Sequence, residues 1–197
     1  LLPSNFFNIN SPRGIVYTTP GTGFLVSAST GASEPVRFGF SGDLQAFSAE
    51  KLFTAVISNI TDVHFFVPET NIPATTSAFG LIFTDVELAG GTKVEFLDQN
   101  DTLLFARDVL TGANEGFSFL GITVSGADIG RVRITSGLNT IVSNGVLGHP
   151  ASADLVVMDD FLYAEPRALV PEPSSAMLMA LGLLGVLSLL RSRRDRA

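Results

Sequence analysis

The chain has 197 residues, enough for one domain with a buried core and a short tail. Glu172 and Asp195, with Arg191, Arg193, Arg194 and Arg196, lie beyond Val170, which leaves 17 acidic against 8 basic residues in Leu1 to Val170. That excess of about nine negative charges disfavours a nucleic-acid partner, and the lack of cysteine excludes disulfides, thiolate nucleophiles and zinc-thiolate sites.

Leu1-Leu2-Pro3-Ser4 lacks the basic and apolar regions of a secretory signal, so the amino-terminal export signal is expected to have been removed or to be missing. From there apolar residues recur with a period of two, punctuated by Gly, Asn, Asp and Ser clusters, which is the pattern of an all-β chain. The strands it predicts are Gly14 to Thr18, Phe24 to Ala28, Val36 to Phe40, Asp62 to Val67, Ala78 to Leu88, Lys93 to Asp98, Thr102 to Val109, Gly116 to Val124, Gly130 to Thr135 and Asp154 to Tyr163. Phe47 to Ser58 is the one place where the pattern allows a helical turn, from Leu52, Val56 and Ile57, although Thr54 and Val56 are β-branched and no cap precedes it. Asp98-Gln99-Asn100-Asp101 separates two apolar runs with turn-forming residues and predicts a hairpin.

Ala78 to Leu88 and Asp154 to Tyr163 are apolar on both alternating faces at their centres, as expected of strands with the core on one side and a second cover on the other. Sixteen Phe, no Trp and two Tyr favour a core of rings that need no polar partner. Phe47, Phe53, Phe65, Phe79, Phe83, Phe96, Phe117, Phe119 and Phe161 are the core candidates. Together these features predict an all-β fold, an antiparallel two-sheet sandwich of jelly-roll type.

Strict alternation puts Asp159 and Asp160 on opposite faces of the last strand, so one of them must turn inward, where a bare carboxylate is costly. Such a group binds a cation or accepts loop amides or an arginine, here Arg131 or Arg133. A structural Ca²⁺ held by Asp159 or Asp160, with Asp154 or Asp85 contributing oxygens, is one reading; a purely hydrogen-bonded pair is the other. His64, in a strand, and His149, in a loop, show no paired metal or triad spacing. Asn59-Ile60-Thr61 and Asn100-Asp101-Thr102 match glycosylation acceptors but read as turns.

From Ala176 to Leu190 every residue but Ser188 is apolar or glycine, and as a helix the run spans about 22 Å against a hydrocarbon core of about 30 Å. Such a helix is short, but Arg191, Arg193, Arg194 and Arg196 beyond it can snorkel and hold the carboxyl end on the cytoplasmic side. Ahead of it, two prolines hold Pro171-Glu172-Pro173 extended, a form that a processing enzyme can grip.

Val170-Pro171-Glu172-Pro173, then a short helix rich in Leu, Gly and Ala, then an arginine cluster, resembles the PEP-CTERM sorting signal of exported bacterial proteins. That resemblance implies recognition by an exosortase, a membrane cysteine transpeptidase whose own thiol cuts near the Pro-Glu-Pro, so this chain would be its substrate. Less specifically, the upstream phrases RVRITSG and VVMDDFLYAEP resemble the β-rich ectodomains that precede such signals. The implied organisation is an ectodomain over 1–166, a linker over 167–175, and a transmembrane helix with a basic tail over 176–197. The implied route is export, a transient stay in the inner membrane, and then the bacterial cell surface or extracellular matrix.

Two functions are expected. One is a non-enzymatic surface or matrix protein that binds extracellular polysaccharide. The other is a secreted carbohydrate-active hydrolase using an Asp/Glu pair. The scarcity of Trp and Tyr leaves a sugar-stacking platform poorly supplied and favours plain display.

Overall fold

The computed structural model describes residues 1–27, 37–40, 44–48, 51–126, 128–143, 146–147, 154–169, 179 and 182–184. The elements in chain order are α1 (Phe6–Ile9), β1 (Ile15–Thr18), β2 (Gly23–Val26), β3 (Phe53–Val56), β4 (Ile60–Phe65), β5 (Ala74–Thr75), β6 (Ala78–Thr84), β7 (Lys93–Leu97), β8 (Leu103–Asp108), β9 (Phe117–Thr123), β10 (Arg131–Thr135), β11 (Ile141–Ser143), β12 (Val146–Leu147), β13 (Val157–Tyr163) and β14 (Arg167–Ala168).

Two sheets face each other across a shared core. One runs β1-β4-β10-β7-β8; the other runs β12-β11-β3-β13-β6-β9, with β2 also paired to β3. Inward residues follow the period of two. Ile15 and Tyr17, Val63 and Phe65, Val94 and Phe96, and Val132 and Ile134 from the first sheet meet Phe53, Phe79, Leu81, Phe83 and Met158 from the second. Among the described residues pairing is antiparallel except between β11 and β3, which run parallel at Ile141 and Val56. The chain reaches β11 by crossing from β10 in the opposite sheet, so its direction there is not set by a hairpin.

A second apolar cluster covers the outer face of the second sheet. Phe38, Leu44 and Leu52 pack there with Ile141, Leu155 and Val157, and Leu25, Phe40 and Ala46 lie against them. Met158 faces the main core while its neighbour Val157 faces this cover, which is the two-sided burial expected of the last long strand.

Several expectations change. Phe53 to Val56 is a strand with all four residues buried, and no helical turn forms there, because two-sided burial suits the β-branched Thr54 and Val56. Arg37–Gly39 forms a 3-10 turn where a strand was predicted, with Phe38 at φ 58°. β6 ends at Thr84, since Asp85 takes a left-handed φ of 69° and turns the chain. Phe47, Phe117 and Phe119 are 57%, 41% and 59% exposed rather than core. In β9 the alternation runs in the other phase, with Ser118 and Leu120 inward. The Phe119 ring lies over Gly80 and Gly121, which are paired across β6 and β9 and leave the floor open to it.

The predicted hairpin is present between β7 and β8. Asp98 Oδ1 accepts the amides of Asn100 and Thr102, both at 2.8 Å, and Asp101 takes φ 62°. Strand pairing also continues to Ala168, because β14 pairs with β5, two residues into the segment read as a linker.

Candidate functional site

Asp159 and Asp160 sit in a β-bulge. Met158 pairs with Phe83 and Phe161 with Leu81, so three steps along β13 match two along β6. The extra residue lets Met158 and Phe161 both turn toward the core, which strict alternation forbids, and it brings the two carboxylates to the same covering segment. Asp159 Oδ2 accepts the amides of Phe47 (2.6 Å) and Ser48 (3.3 Å), and its Oδ1 accepts that of Asp160 (2.8 Å). The Ser48 hydroxyl donates to Asp160 Oδ1. Burial pushes the Asp159 carboxyl above the usual range, against the lowering by its three amides. Loop amides, one of the partners expected for this pair, surround the Asp159 carboxylate.

Beside the bulge lies an open groove of about 770 Å³, bounded by β13 on one side and by the chain around α1 on the other. Asp160, Lys51, Arg13 and Glu165 supply charges of both signs, and Phe7 and Phe161 supply apolar rings. Both tyrosines reach it. Tyr17 is 3% exposed with its pKa pushed well above the tyrosine range by burial, while the Tyr163 hydroxyl donates to the Arg13 carbonyl at 3.3 Å.

The solvent face of the first sheet carries an ionic network. Asp62 on β4 accepts a two-pronged bond from Arg133 (2.9 and 2.9 Å) and one from Arg131 (2.8 Å), whose Nε also bonds Asp101 at 2.8 Å. The arginines therefore serve Asp62, not the bulge. His64 is half-buried and its Nε2 lies 3.0 Å from the Thr18 hydroxyl, and burial lowers its pKa. Burial alone would raise the Asp62 pKa, but the bonds from Arg133 and Arg131 outweigh it, so the carboxyl sits below its usual value. A depressed carboxylate stabilises the fold above the unfolded pKa of about 3.9, and that stability is lost as pH falls through the folded value. Urea unfolding from pH 5 down to pH 2.5 is expected to show a smaller acid loss in Asp62→Asn than in the wild type. Equal losses would remove the network from the account of acid stability.

A third constellation joins residues from separate segments. Asp85 follows β6, and its Oδ1 accepts the Glu115 amide at 2.9 Å. Asp154 precedes β13, and its Oδ2 accepts the amides of Glu87 (3.3 Å) and Leu88 (3.2 Å). Its carbonyl takes those of Leu138 and Asn139, both at 2.9 Å. Gly137, at φ 66°, lets the chain pass so close that a side chain there would strike the Asp154 carbonyl. Asp85, Glu87 and Asp154 each bring one carboxylate oxygen within 4.8 Å of the others. Glu87 was missed from the sequence. The Asp85-Val86-Glu87 spacing, which places both acids on one side of an extended chain, was the available signal.

Of the four carboxylates singled out in the sequence, Asp85 and Asp154 come together, while Asp159 and Asp160 form the separate bulge. Val170, Pro171, Glu172, Pro173, Arg191, Arg193, Arg194, Arg196 and His149 lie outside the described residues. Of the predicted membrane segment, Met179, Gly182, Leu183 and Leu184 are described as helical, and Met179, Leu183 and Leu184 are 71%, 58% and 63% exposed. Among the described residues no helix is long and apolar enough to cross a membrane.

The all-β sandwich, its sheets almost wholly antiparallel among the described residues, is followed in the sequence by a sorting motif. The signal is specific: residues 169–194 match the family model of the PEP-CTERM protein-sorting motif. The motif implies export, association with a membrane before processing, and sorting through an exosortase. No curated protein matches the chain. Among solved structures, TmCBM61 in complex with β-1,4-galactotriose is similar at TM-score 0.42 and 16% identity, over 83% of this chain and 94% of that one. The enzymatically active domain of tailspike protein 4 from bacteriophage CBA120 is similar at TM-score 0.35 and 12% identity, over 82% of this chain and 20% of that one.

Proposed function

We propose that this is a non-enzymatic protein of the bacterial surface or extracellular matrix, which binds extracellular polysaccharide in the groove beside the bulge of β13. In this reading a jelly-roll ectodomain over 1–166 is joined by a linker over 167–175 to a membrane helix and basic tail over 176–197. The helix holds the chain in the inner membrane until an exosortase acts at Val170-Pro171-Glu172-Pro173. Arg191, Arg193, Arg194 and Arg196 keep its end cytoplasmic.

The groove carries the ligand assignment. It is open to solvent, and it combines charged hydrogen-bonding groups with apolar rings, the mixture that sugar hydroxyls and ring faces require. Engagement of Asp159 by three amides supports binding over hydrolysis, because a carboxylate so held is poorly placed to move a proton.

Calorimetric titration with the host's purified extracellular polysaccharide is expected to show binding that Lys51→Ala and Asp160→Asn each weaken about tenfold, the loss of one charged hydrogen bond. Phe119→Ala, on the outer face of the second sheet, is expected to leave it unchanged. Loss in Phe119→Ala alone would move the site to that face, and release of new reducing ends by the wild type would favour the hydrolase.

A further inference from the structure

Asp154 is 6% exposed, and its Oδ1 is buried without a hydrogen-bond partner in the protein. The other oxygen is already spent on the amides of Glu87 and Leu88. An ionised oxygen so enclosed needs positive charge, whereas Asp85 and Glu87 bring two further carboxylates, with one oxygen of each of the three within 4.8 Å of the others. We propose that Asp85, Glu87 and Asp154 bind one Ca²⁺, with the unpartnered Asp154 Oδ1 as its buried ligand.

The donor chemistry selects the ion. All three groups are hard oxygen donors with no histidine or thiolate among them, which favours Ca²⁺ or Mg²⁺ over zinc. A separation of 4.8 Å is about twice a Ca–O bond of roughly 2.4 Å, so a single ion can touch all three. Glu87 is exposed, and its side leaves room for the waters that complete the six to eight ligands typical of Ca²⁺. The donors come from an irregular turn and a strand approach rather than one rigid element, and Ca²⁺ tolerates such geometry better than octahedral Mg²⁺.

The ion ties together three parts of the chain. Asp85 is bonded to the loop before β9 through the Glu115 amide. Asp154 holds the β10 to β11 connection through Leu138 and Asn139, and Glu87 belongs to the chain leaving β6. The proposed cation is therefore a structural clamp at one end of the sandwich, independent of the glycan groove.

The test uses the full chain in mild detergent, stripped with a chelator, dialysed, and titrated with CaCl₂ or MgCl₂ while thermal unfolding and calorimetric binding are followed. Extracellular Ca²⁺ modules bind at about 10⁻⁴ to 10⁻³ M, so 10 mM Ca²⁺ is expected to raise Tm by roughly 3–10 °C, with a smaller rise for Mg²⁺. Asp154→Asn keeps an oxygen for the two amides and is expected to lose the response. Glu87→Gln changes an exposed side chain, keeps the fold, and is expected to raise Kd about tenfold, which decides the matter should Asp154→Asn fail to fold. Absence of a Ca²⁺-dependent Tm shift in the wild type, or wild-type affinity in Glu87→Gln, would overturn the site and leave Oδ1 to a proton or a water.

Discussion

Replacing Glu172 with Ala is expected to abolish trimming by an exosortase while leaving membrane association intact. Glu172 is the one charged residue between Arg167 and Arg191, and it stands between two prolines that cannot join a helix without losing backbone bonds. Two prolines around a single charge favour an extended peptide, which would give a processing enzyme a definite feature to read. Membrane association depends on other residues, the apolar run of Ala176 to Leu190 and the arginines beyond it, and a distant carboxylate hardly alters their energetics. Replacing Arg191, Arg193, Arg194 and Arg196 together is expected to produce the complementary failure, with disturbed orientation and retention. The measurement is the size and fractionation of the protein in a host that carries an exosortase. A Glu172→Ala protein trimmed at the normal rate would move recognition into the helix or the arginines.

The second large effect is expected at the bulge of β13, where Asp159→Ala should cost roughly 2–4 kcal/mol and Asp160→Ala about 1 kcal/mol or less. Removal of the Asp159 carboxylate leaves the amides of Phe47, Ser48 and Asp160 without their acceptor. Two of these belong to the segment that lies over the second apolar cluster, so the loss also loosens the cover of Leu44 and Leu52. Asp160 makes one bond, to the hydroxyl of Ser48, and is partly exposed, so water can replace its partner. Asp159→Asn, which keeps an acceptor, should fall between the two. The check is the urea midpoint at constant m-value. Equal and small effects at both positions would mean that the cover is held by its apolar contacts alone.

Much of the strand framework could be read from the chain. Alternation placed β1, β4, β7, β8, β10 and most of β6 within a few residues, and the turn at Asp98 announced itself by side chains that bond their own backbone. Such features are local, since each depends on residues within one strand or turn. The sorting signal is likewise a linear pattern, complete within residues 169–194.

What pattern could not supply is phase and company. Phe117 and Phe119 are as apolar as Phe79 and Phe83, yet they lie outside because the pairing of β9 with β6 sets which of its faces meets the core. Alternation also assigned Asp159 and Asp160 to opposite faces, and a one-residue bulge, created by the register between β13 and β6, turned both toward one segment. The acidic group shows the same limit. Asp85 and Glu87 are near neighbours in sequence, but Asp154, 67 residues beyond Glu87, reaches them only once the sheet has brought the approach to β13 beside the end of β6. The chain itself determined where most of the long strands form and that it carries a sorting signal, because both are written in short linear stretches. The tertiary structure alone decided which carboxylates meet and which rings face water, because those depend on register between segments far apart in the chain.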